Sequence, residues 1–518
     1  MLTVGVIAAV GTIAYIFAFC WLAGAGPLLA PVMVGVGAGL VLVRSRDAAL
    51  AAGIASTAGS FIAVTAFRAD FVLRVLENMP AYANPDVPRL LYQMVYEYAL
   101  THPVTTWGRF SPLLILLGAS ATTAVAYGSA RLLAKLRAHR RRWVEWGVVA
   151  ILCGTFIYSS IAISAPFIDH VNQEPQPGAY AFDGSVYVKT FYNMQHGQDY
   201  YAALVDAAAG DSRLMKENWV RGGKFYGWFS SPGFVRIPIT FYAWQAVSFA
   251  GAGGVVYLAA LAGALVLAAV YWGARARVGS RALFVVLLIF PYLLFMGLSF
   301  NIFFNDYWAA LAALASVAVL LRRQWVAAAV LACLAAVCRD VLLIWLLILI
   351  GVSCFTWLRK RGLEWGRRAA VSSGMLLAFG GAYAWNYANA ARIVVTSDFR
   401  GPLGRVLDMA GYDLVYKLVQ PTSYMMFPYG YFVLPGLVLW LVGPLGLWAV
   451  TRNDRPTRYA LVAWSAYWIA FYVILGVSSS YWGQHTLPVS LMGLGLLLCT
   501  LDQLGPRLEL RGDPPPSS

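Results

Sequence analysis

Residues 325–357 read WVAAAVLACLAAVCRDVLLIWLLILIGVSCFTW, and this run of 33 residues carries charge only at Arg339 and Asp340. A single α-helix of this length would extend about 50 Å, which exceeds the roughly 30 Å of hydrocarbon in a bilayer. Division at the charged pair gives two arms of roughly 21 and 26 Å. The run therefore predicts a helical hairpin in the membrane, with its tip at Arg339–Asp340 just below the outer surface. Charges at that depth need polar surroundings or a ligand.

Similar apolar runs recur along the whole sequence. The chain has 518 residues, of which 60% are hydrophobic and 12% are charged, whereas a soluble protein carries about 25% charged residues. We therefore predict an all-α polytopic membrane protein with about 14 transmembrane helices, within a range of roughly 12–14. The predicted spans cover residues 2–23, 27–43, 48–67, 111–134, 144–166, 247–272, 282–300, 307–321, the two arms of 325–357, 369–388, 431–450, 459–477 and 486–501.

Positive charge is concentrated on one side of these spans. The predicted inner side holds 23 basic and 7 acidic residues, and the outer side holds 15 basic and 16 acidic residues. This positive-inside pattern predicts a multi-pass protein of the cell (inner) membrane with both termini in the cytoplasm. It also accounts for the net charge of +15, so we do not expect nucleic-acid binding. All six cysteines fall within spans or at their ends, and we expect neither a disulfide nor a metal site.

The predicted domain that follows the fourth span contains two large outer loops, residues 167–245 and 389–429. The first loop collects 7 of the 23 acidic residues, and a membrane protein that gathers carboxylates in one loop is expected to perform its chemistry there. The sequence thus divides into three parts. Residues 1–143 form an N-terminal four-helix membrane segment with an interfacial helix, residues 144–501 form a membrane domain that contains both loops, and residues 502–518 form a cytoplasmic tail.

Four short motifs lie on the predicted outer side, in the first outer loop or at the outer ends of predicted helices. FDGSVYVK contains Asp183, SPGFVRIPITFYAW contains Arg236, FNDYW contains Asp306, and WGQHTLPVSL contains His485. Together with Arg339 at the hairpin tip, these motifs resemble the GT-C superfamily of membrane glycosyltransferases. The chain is most similar in pattern to the protein mannosyltransferases and the aminoarabinose transferases, and the resemblance begins at the fifth predicted span.

This resemblance implies a fold, a reaction and a set of site residues. Residues 144–501 would be a GT-C-like catalytic domain that takes a sugar from a polyprenyl-phosphate donor on the outer face of the membrane. The acceptor would be a hydroxyl of a glycan, a lipid or a protein. The implied residues are the general base Asp183, with Asp169 as the second candidate, and the substrate-binding residues Arg339, Arg236, His485, Asp306 and Lys189.

The chemistry of sugar transfer asks for these residue types. A carboxylate takes the proton of the acceptor hydroxyl, and cations stabilise the charge that develops on the phosphate leaving group. Arginine suits phosphate because its planar guanidinium donates two parallel hydrogen bonds. The scattered carboxylates are also compatible with a divalent cation, although no motif specifies one.

The candidate residues also fit purely structural roles. Asp183 precedes a glycine and is a favourable turn residue, Arg339 suits an ion pair with Asp340 or Asp306, and Arg236 suits contact with lipid headgroups. His485 fits an interfacial histidine.

Other functions also remain open at this point. A transporter or flippase of glycolipids or polyprenyl-linked substrates, a polysaccharide polymerase of another fold and a non-catalytic scaffold are the alternatives. Transporters usually carry ionisable residues or broken helices near the membrane midplane. The charges of this sequence gather instead at helix ends and on one face, which favours an enzyme.

Overall fold

The computed structural model describes residues 143, 145–158, 160–161, 182–210, 220–226, 235–296, 302–395, 433–475 and 485–509. The first four predicted spans, Asp169 and most of the loop at 389–429 lie outside these residues. The described part is mostly α-helical, as predicted, and contains one short β-hairpin. Its helices are α1 (Glu145–Tyr158), α2 (Phe182–Gln195), α3 (Tyr200–Ala209), α4 (Ile239–Ala246), α5 (Ala252–Val278), α6 (Ala282–Met296), α7 (Asn305–Leu321), α8 (Trp325–Cys338), α9 (Leu343–Lys360), α10 (Leu363–Ala390), α11 (Val433–Val450), α12 (Arg455–Leu475) and α13 (Leu487–Glu509).

The predicted helix break at Arg339–Asp340 is confirmed. Helix α8 ends at Cys338, Arg339 has an extended backbone conformation, and a 3-10 turn at Asp340–Leu342 leads into α9. The two arms pack against each other, α8 also packs on α7 and α10, and α9 packs on α10 and α12. The two charged residues therefore lie at one end of a closely packed group of helices.

Several helices extend beyond the spans predicted from hydropathy. Helix α5 begins at Ala252 and ends at Val278, past the expected limit at residue 272. Helix α10 has 28 residues, and α13 continues to Glu509, so that part of the predicted tail at 502–518 is helical. Hydropathy marks where the apolar stretch ends, but long basic side chains let a helix continue into the polar region.

Two helical stretches of the described part are long and apolar enough to cross a membrane, Ala252–Val286 and Asp340–Lys360. The described part also contains four shorter apolar helices, Glu145–Tyr158, Asn305–Leu321, Trp325–Cys338 and Leu487–Thr500. Large apolar side chains are exposed at helical spacing on α5 (Tyr257, Leu261 and Leu265) and on α8 (Val326, Val330 and Leu334). Contiguous apolar faces of this kind are rare on soluble proteins, and they support the membrane character of the chain.

Helices α11 and α13 cross at glycine residues. A Cβ atom added to Gly446 would lie 1.8 Å from the carbonyl oxygen of Gly493, and one added to Gly493 would lie 2.0 Å from the carbonyl oxygen of Gly443. The two backbones are therefore in direct contact. Small residues permit this close approach between membrane helices.

Basic segments that are far apart in the sequence meet at one end of the bundle. Asp454, in the turn between α11 and α12, binds Arg277 of α5 at 2.8 Å and Arg323, after α7, at 2.9 Å. At the same end, Glu145 accepts hydrogen bonds from Arg275 and Tyr271. Three segments that the charge pattern assigns to one side of the membrane are thus connected by a single carboxylate.

The described residues of the predicted outer loop at 167–245 form helices and a hairpin. They include α2, α3, α4 and an antiparallel hairpin of β1 (Val220–Arg221) and β2 (Lys224–Phe225). Phe225 also forms a parallel bridge with Val394, where the amide of Phe225 donates to Ile393 and that of Val395 donates to Phe225. The first outer loop is therefore joined to the beginning of the second.

The glycine contact between α11 and α13 leads to a first prediction. Gly446→Leu should lower the melting temperature of the detergent-solubilised protein, because the new side chain would force the two backbones apart at a cost of about 1–3 kcal/mol or more. Gly380→Leu on α10 is the matched control, since a Cβ at Gly380 meets nothing within 4 Å. Equal melting temperatures for the two variants would contradict this packing.

The second prediction concerns Asp454. Burial raises its pKa, but hydrogen bonds from Arg277 and Arg323 outweigh this and hold the pKa below the ordinary value of 3.8. Asp454 therefore stabilises the fold fully above pH 3.8, and this contribution is lost as the pH falls through the lower folded-state pKa.

Asp454→Asn should therefore destabilise the protein at neutral pH by on the order of 3 kcal/mol, because the mostly buried Arg277 loses its counter-charge. The difference in melting temperature between the wild type and the variant should narrow as the pH is lowered. A difference that stays constant down to strongly acidic pH would rule out this role of the carboxylate.

Candidate active site

The opposite end of the bundle brings together four of the residues predicted from the sequence. Asp306 lies in the first turn of α7, Arg339 follows α8, His485 precedes α13, and Arg236 precedes α4. Three of them form a buried cluster, and the fourth forms an exposed ion pair beside it. The two groups are joined by the peptide bond between Arg339 and Asp340.

One oxygen atom of Asp306 holds the buried cluster together. Asp306 Oδ1 lies 2.8 Å from Nε of Arg339 and 3.0 Å from Nε2 of His485. The side chains of Asp306, Arg339 and His485 are 5%, 3% and 0% exposed. A carboxylate in the first helical turn is favoured by the positive end of the helix dipole, and the extended backbone at Arg339 turns its side chain away from the axis of α8.

Burial and the neighbouring arginine keep His485 neutral. Loss of solvent lowers the pKa of His485 to about 4, a shift that Asp306 opposes and Arg339 reinforces. The neutral ring is therefore assigned the tautomer in which Nε2 donates to Asp306. The indole of Trp468 stacks on the imidazole, with ring centroids 6.1 Å apart. Within the described residues, Nδ1 of His485 is buried without a hydrogen-bond partner.

The second group is an ion pair at the surface of the fold. Nη1 of Arg236 lies 3.2 Å from Oδ1 of Asp340, and the two side chains are 21% and 46% exposed. The contact is longer than the 2.7–2.9 Å typical of charge-assisted hydrogen bonds. A solvated pair of this kind contributes about 0–1 kcal/mol to stability.

The backbone that carries Arg236 is held from two sides. The hydroxyl of Tyr200 on α3 donates to the carbonyl of Arg236 at 3.1 Å. The side-chain amide of Asn386 on α10 donates to the carbonyl of Val235 at 2.8 Å and accepts from Tyr201 at 3.0 Å. The position of Arg236 is therefore fixed although its guanidinium group is partly in solvent.

Helix α4 connects this region to the buried cluster. Thr240 donates to the side-chain oxygen of Asn305 at 2.5 Å, and Asn305 directly precedes Asp306. Phe241 and Trp244 of α4 are fully buried. The ring of Tyr187 on α2 contacts those of Phe241 and Phe304.

The structure describes the remaining predicted residues, Asp183, Asp169 and Lys189, to different extents. The backbone of Asp183 lies in the first turn of α2, so the residue belongs to a helix and not to a turn, whereas its side chain lies outside the described part. Asp169 lies wholly outside it. Lys189, on the same helix, has its Nζ atom beside Gly210, 3.1 Å from the position of an added Cβ.

Three residues near Arg236 were not singled out from the sequence. Asp340 was considered only at the hairpin tip and as a possible ion-pair partner of Arg339, and neither Tyr201 nor Asn386 was given a role. Asn386 offers a signal in retrospect, because it is an amide near the end of an otherwise largely apolar predicted span and is 1% exposed. Buried amides of this kind require hydrogen-bond partners.

The described side chains do not form a metal-binding group of three or more His, Cys, Asp and Glu. In comparisons with known proteins, no family model, no curated protein and no solved structure matches the chain. The arrangement of the site therefore has to be interpreted from its own chemistry. It offers a partly exposed cation on an anchored backbone, a solvated carboxylate and a buried set of charges next to them.

The buried cluster leads to a third prediction. Asp306→Ala should lower the free energy of unfolding by on the order of 3–5 kcal/mol, because it leaves the guanidinium of Arg339 buried without a counter-charge. The double variant Asp306→Leu with Arg339→Leu should recover much of this loss, since both charges are removed together. Thermal or denaturant unfolding of the detergent-solubilised protein measures these differences.

Asp340→Ala serves as the control for position, because it removes a carboxylate from the adjacent but exposed ion pair. Its effect on unfolding should stay within about 1 kcal/mol. If Asp340→Ala proved as destabilising as Asp306→Ala, the distinction between a buried and an exposed pair would be incorrect.

Proposed function

We propose that this protein is a membrane glycosyltransferase that transfers a sugar from a polyprenyl-phosphate donor to a hydroxyl group on the outer face of the membrane. The observation that carries the proposal is the partly exposed guanidinium of Arg236, whose backbone is anchored at the end where the predicted outer segments meet. A cation held in this way suits a phosphate group at a membrane surface. The motif resemblance to the GT-C superfamily supports the same function.

The proposal includes a multi-pass topology of about 14 spans with both termini in the cytoplasm. The contacts of Asp454 with Arg277 and Arg323 support this topology, because they join predicted inner segments at one end of the bundle. The Phe225–Val394 bridge supports it from the other end, since it joins the two predicted outer loops. A lipid-linked donor would then reach the site from the membrane.

The proposed reaction is one displacement at the anomeric carbon. The acceptor oxygen forms a bond to this carbon while the bond between the carbon and the phosphate oxygen breaks, and polyprenyl phosphate leaves with both bonding electrons. Arg236 stabilises the negative charge that develops on the phosphate. The acceptor proton passes to a carboxylate, for which Asp183 is our candidate and Asp169 the second.

Burial changes the roles that we propose for Asp306, Arg339 and His485. Because these side chains neutralise one another inside the fold, we assign them to positioning the hairpin tip and not to contact with substrate. Arg236 remains the phosphate-binding candidate. Lys189 remains a candidate for contact with the sugar or its phosphate.

A second candidate function is transport or flipping of a glycolipid or polyprenyl-linked substrate. Its support is the buried cluster of Asp306, Arg339 and His485, since ionisable residues between membrane helices often mark ion or substrate pathways. Proteoliposomes distinguish the two functions. A transporter would move a labelled lipid-linked sugar between leaflets without changing it chemically, whereas the enzyme would form a new glycosidic bond.

The fourth prediction tests the enzyme. Purified protein in detergent or nanodiscs should transfer a labelled sugar from at least one member of a panel of polyprenyl-phosphate sugars to a hydroxyl acceptor. Asp183→Asn should lower kcat about 10²–10⁴-fold through loss of the base. Arg236→Gln should lower kcat/KM about 10²–10³-fold through loss of charge stabilisation.

The matched control is Lys224→Gln, which removes a positive charge from the exposed hairpin turn and should leave transfer unchanged. Arg236→Lys should recover only part of the activity, because lysine cannot donate two parallel hydrogen bonds. Full activity of both Asp183→Asn and Arg236→Gln would refute the site, and the absence of transfer and of binding for every donor would refute the function.

A further inference from the structure

The ion pair between Arg236 and Asp340 has properties that a purely structural ion pair does not need. Its partners come from segments 104 residues apart, yet they meet at the surface through one nitrogen and one oxygen atom. Solvent screens such a contact strongly. The structural connection at this end is made instead by the buried cluster of Asp306, Arg339 and His485, which leaves the exposed pair available for another task.

The two partners are held differently. Arg236 is fixed at its own carbonyl by Tyr200 and at the preceding carbonyl by Asn386. Asp340 begins a single 3-10 turn, and its side chain is nearly half exposed. The backbone at Arg236 is therefore anchored by two hydrogen bonds, whereas the side chain of Asp340 is nearly half in solvent.

A third group completes the surroundings of the pair. Tyr383, on α10, is close enough to interact electrostatically with both Asp340 and Arg236. Its phenol is partly buried and offers a neutral hydrogen-bond donor. The carboxylate of Asp340 occupies the position on the guanidinium that an oxygen atom of a phosphate group would take, since arginine binds both anions through their oxygen atoms.

We propose that the carboxylate of Asp340 is a placeholder for the substrate phosphate. A phosphate monoester or diester displaces this carboxylate from Arg236 when it binds. Asp340 is thus a specificity-determining residue that competes with the donor for one cation. It keeps the guanidinium oriented in the unliganded protein and repels anions that bind too weakly to displace it. This inference rests on the proposed function for the identity of the ligand, but the displacement itself is a property of binding.

The closing test compares phosphate binding by the wild type and by Asp340→Asn. Farnesyl phosphate is the probe, inorganic phosphate shows whether the headgroup alone suffices, and farnesol is the uncharged control. Asp340→Asn should bind farnesyl phosphate about fivefold more tightly, because a competing negative charge has been removed. Arg236→Gln should lose this binding in both backgrounds, and farnesol should not distinguish the proteins.

Asp206→Asn is the matched control for charge, because Asp206 is an exposed carboxylate of α3 that accepts from Gln198 at 2.8 Å. It removes one negative charge and should leave the affinity for farnesyl phosphate unchanged. Equal or weaker binding by Asp340→Asn, or an equal gain in Asp206→Asn, would overturn the proposal. So would farnesyl phosphate binding that persists in Arg236→Gln.

Kinetics separate this inference from the function on which it rests. With an active donor, Asp340→Asn should lower KM about fivefold and leave kcat nearly unchanged. A fall in kcat of about 10²-fold or more would instead make Asp340 the catalytic base and overturn the placeholder role. If no donor supports transfer while the binding results hold, the glycosyltransferase proposal fails and the displaceable anion site stands.

Discussion

The buried carboxylate of Asp306 is the interaction on which this end of the molecule depends. A carboxylate removed from water is costly unless it is paired and hydrogen-bonded. Asp306 meets this requirement with Arg339 and His485, which come from two other segments of the chain. Because one oxygen atom serves both partners, α7, the tip between α8 and α9, and the segment before α13 have to arrive at one point. The fold thereby fixes the orientation of the tip, and the tip in turn presents Asp340 to Arg236.

At both ends of the helix bundle a buried carboxylate is paired with basic side chains, but the solvent exposure of those side chains differs between the ends. At the basic end, Asp454 is buried with Arg277, while its other partner Arg323 is 61% exposed. The middle of the bundle has few charges and is held by close apolar packing, as at the glycine crossing of α11 and α13. Between membrane helices, packing and a few polar contacts supply the specificity that the hydrophobic effect supplies in water. Charged contacts at the ends therefore define which helices meet, and small residues define how closely they approach.

The sequence predicted the elements of this fold better than their connections. The break at Arg339–Asp340 followed from two observations, because a 33-residue run is too long for one crossing and its only charged pair marks where it divides. The grouping of Arg277, Arg323 and the turn at Asp454 followed from charge. Hydropathy carries no information about side-chain direction at a helix end, so it did not reveal that the adjacent residues Arg339 and Asp340 contact different partners. The helices α2, α3 and α4 were also missed, because with 14, 10 and 8 residues they are shorter than the apolar runs by which membrane spans are recognised.

The adjacency of a buried and an exposed ion pair has a functional consequence. An ion pair that must exchange its anion for a substrate has to be weak, because a ligand gains only the difference between its own affinity and that of the group it displaces. A weak pair alone would leave the site poorly ordered, which costs affinity on binding. At the hairpin tip, neighbouring residues meet the need for an ordered site and the need for a weak ion pair. Arg339 is neutralised inside the fold and holds the backbone, while Asp340 stays in solvent and is exchangeable. The segment Arg339–Asp340 thus combines an anchored backbone with an exchangeable anion, and neither residue alone could provide both.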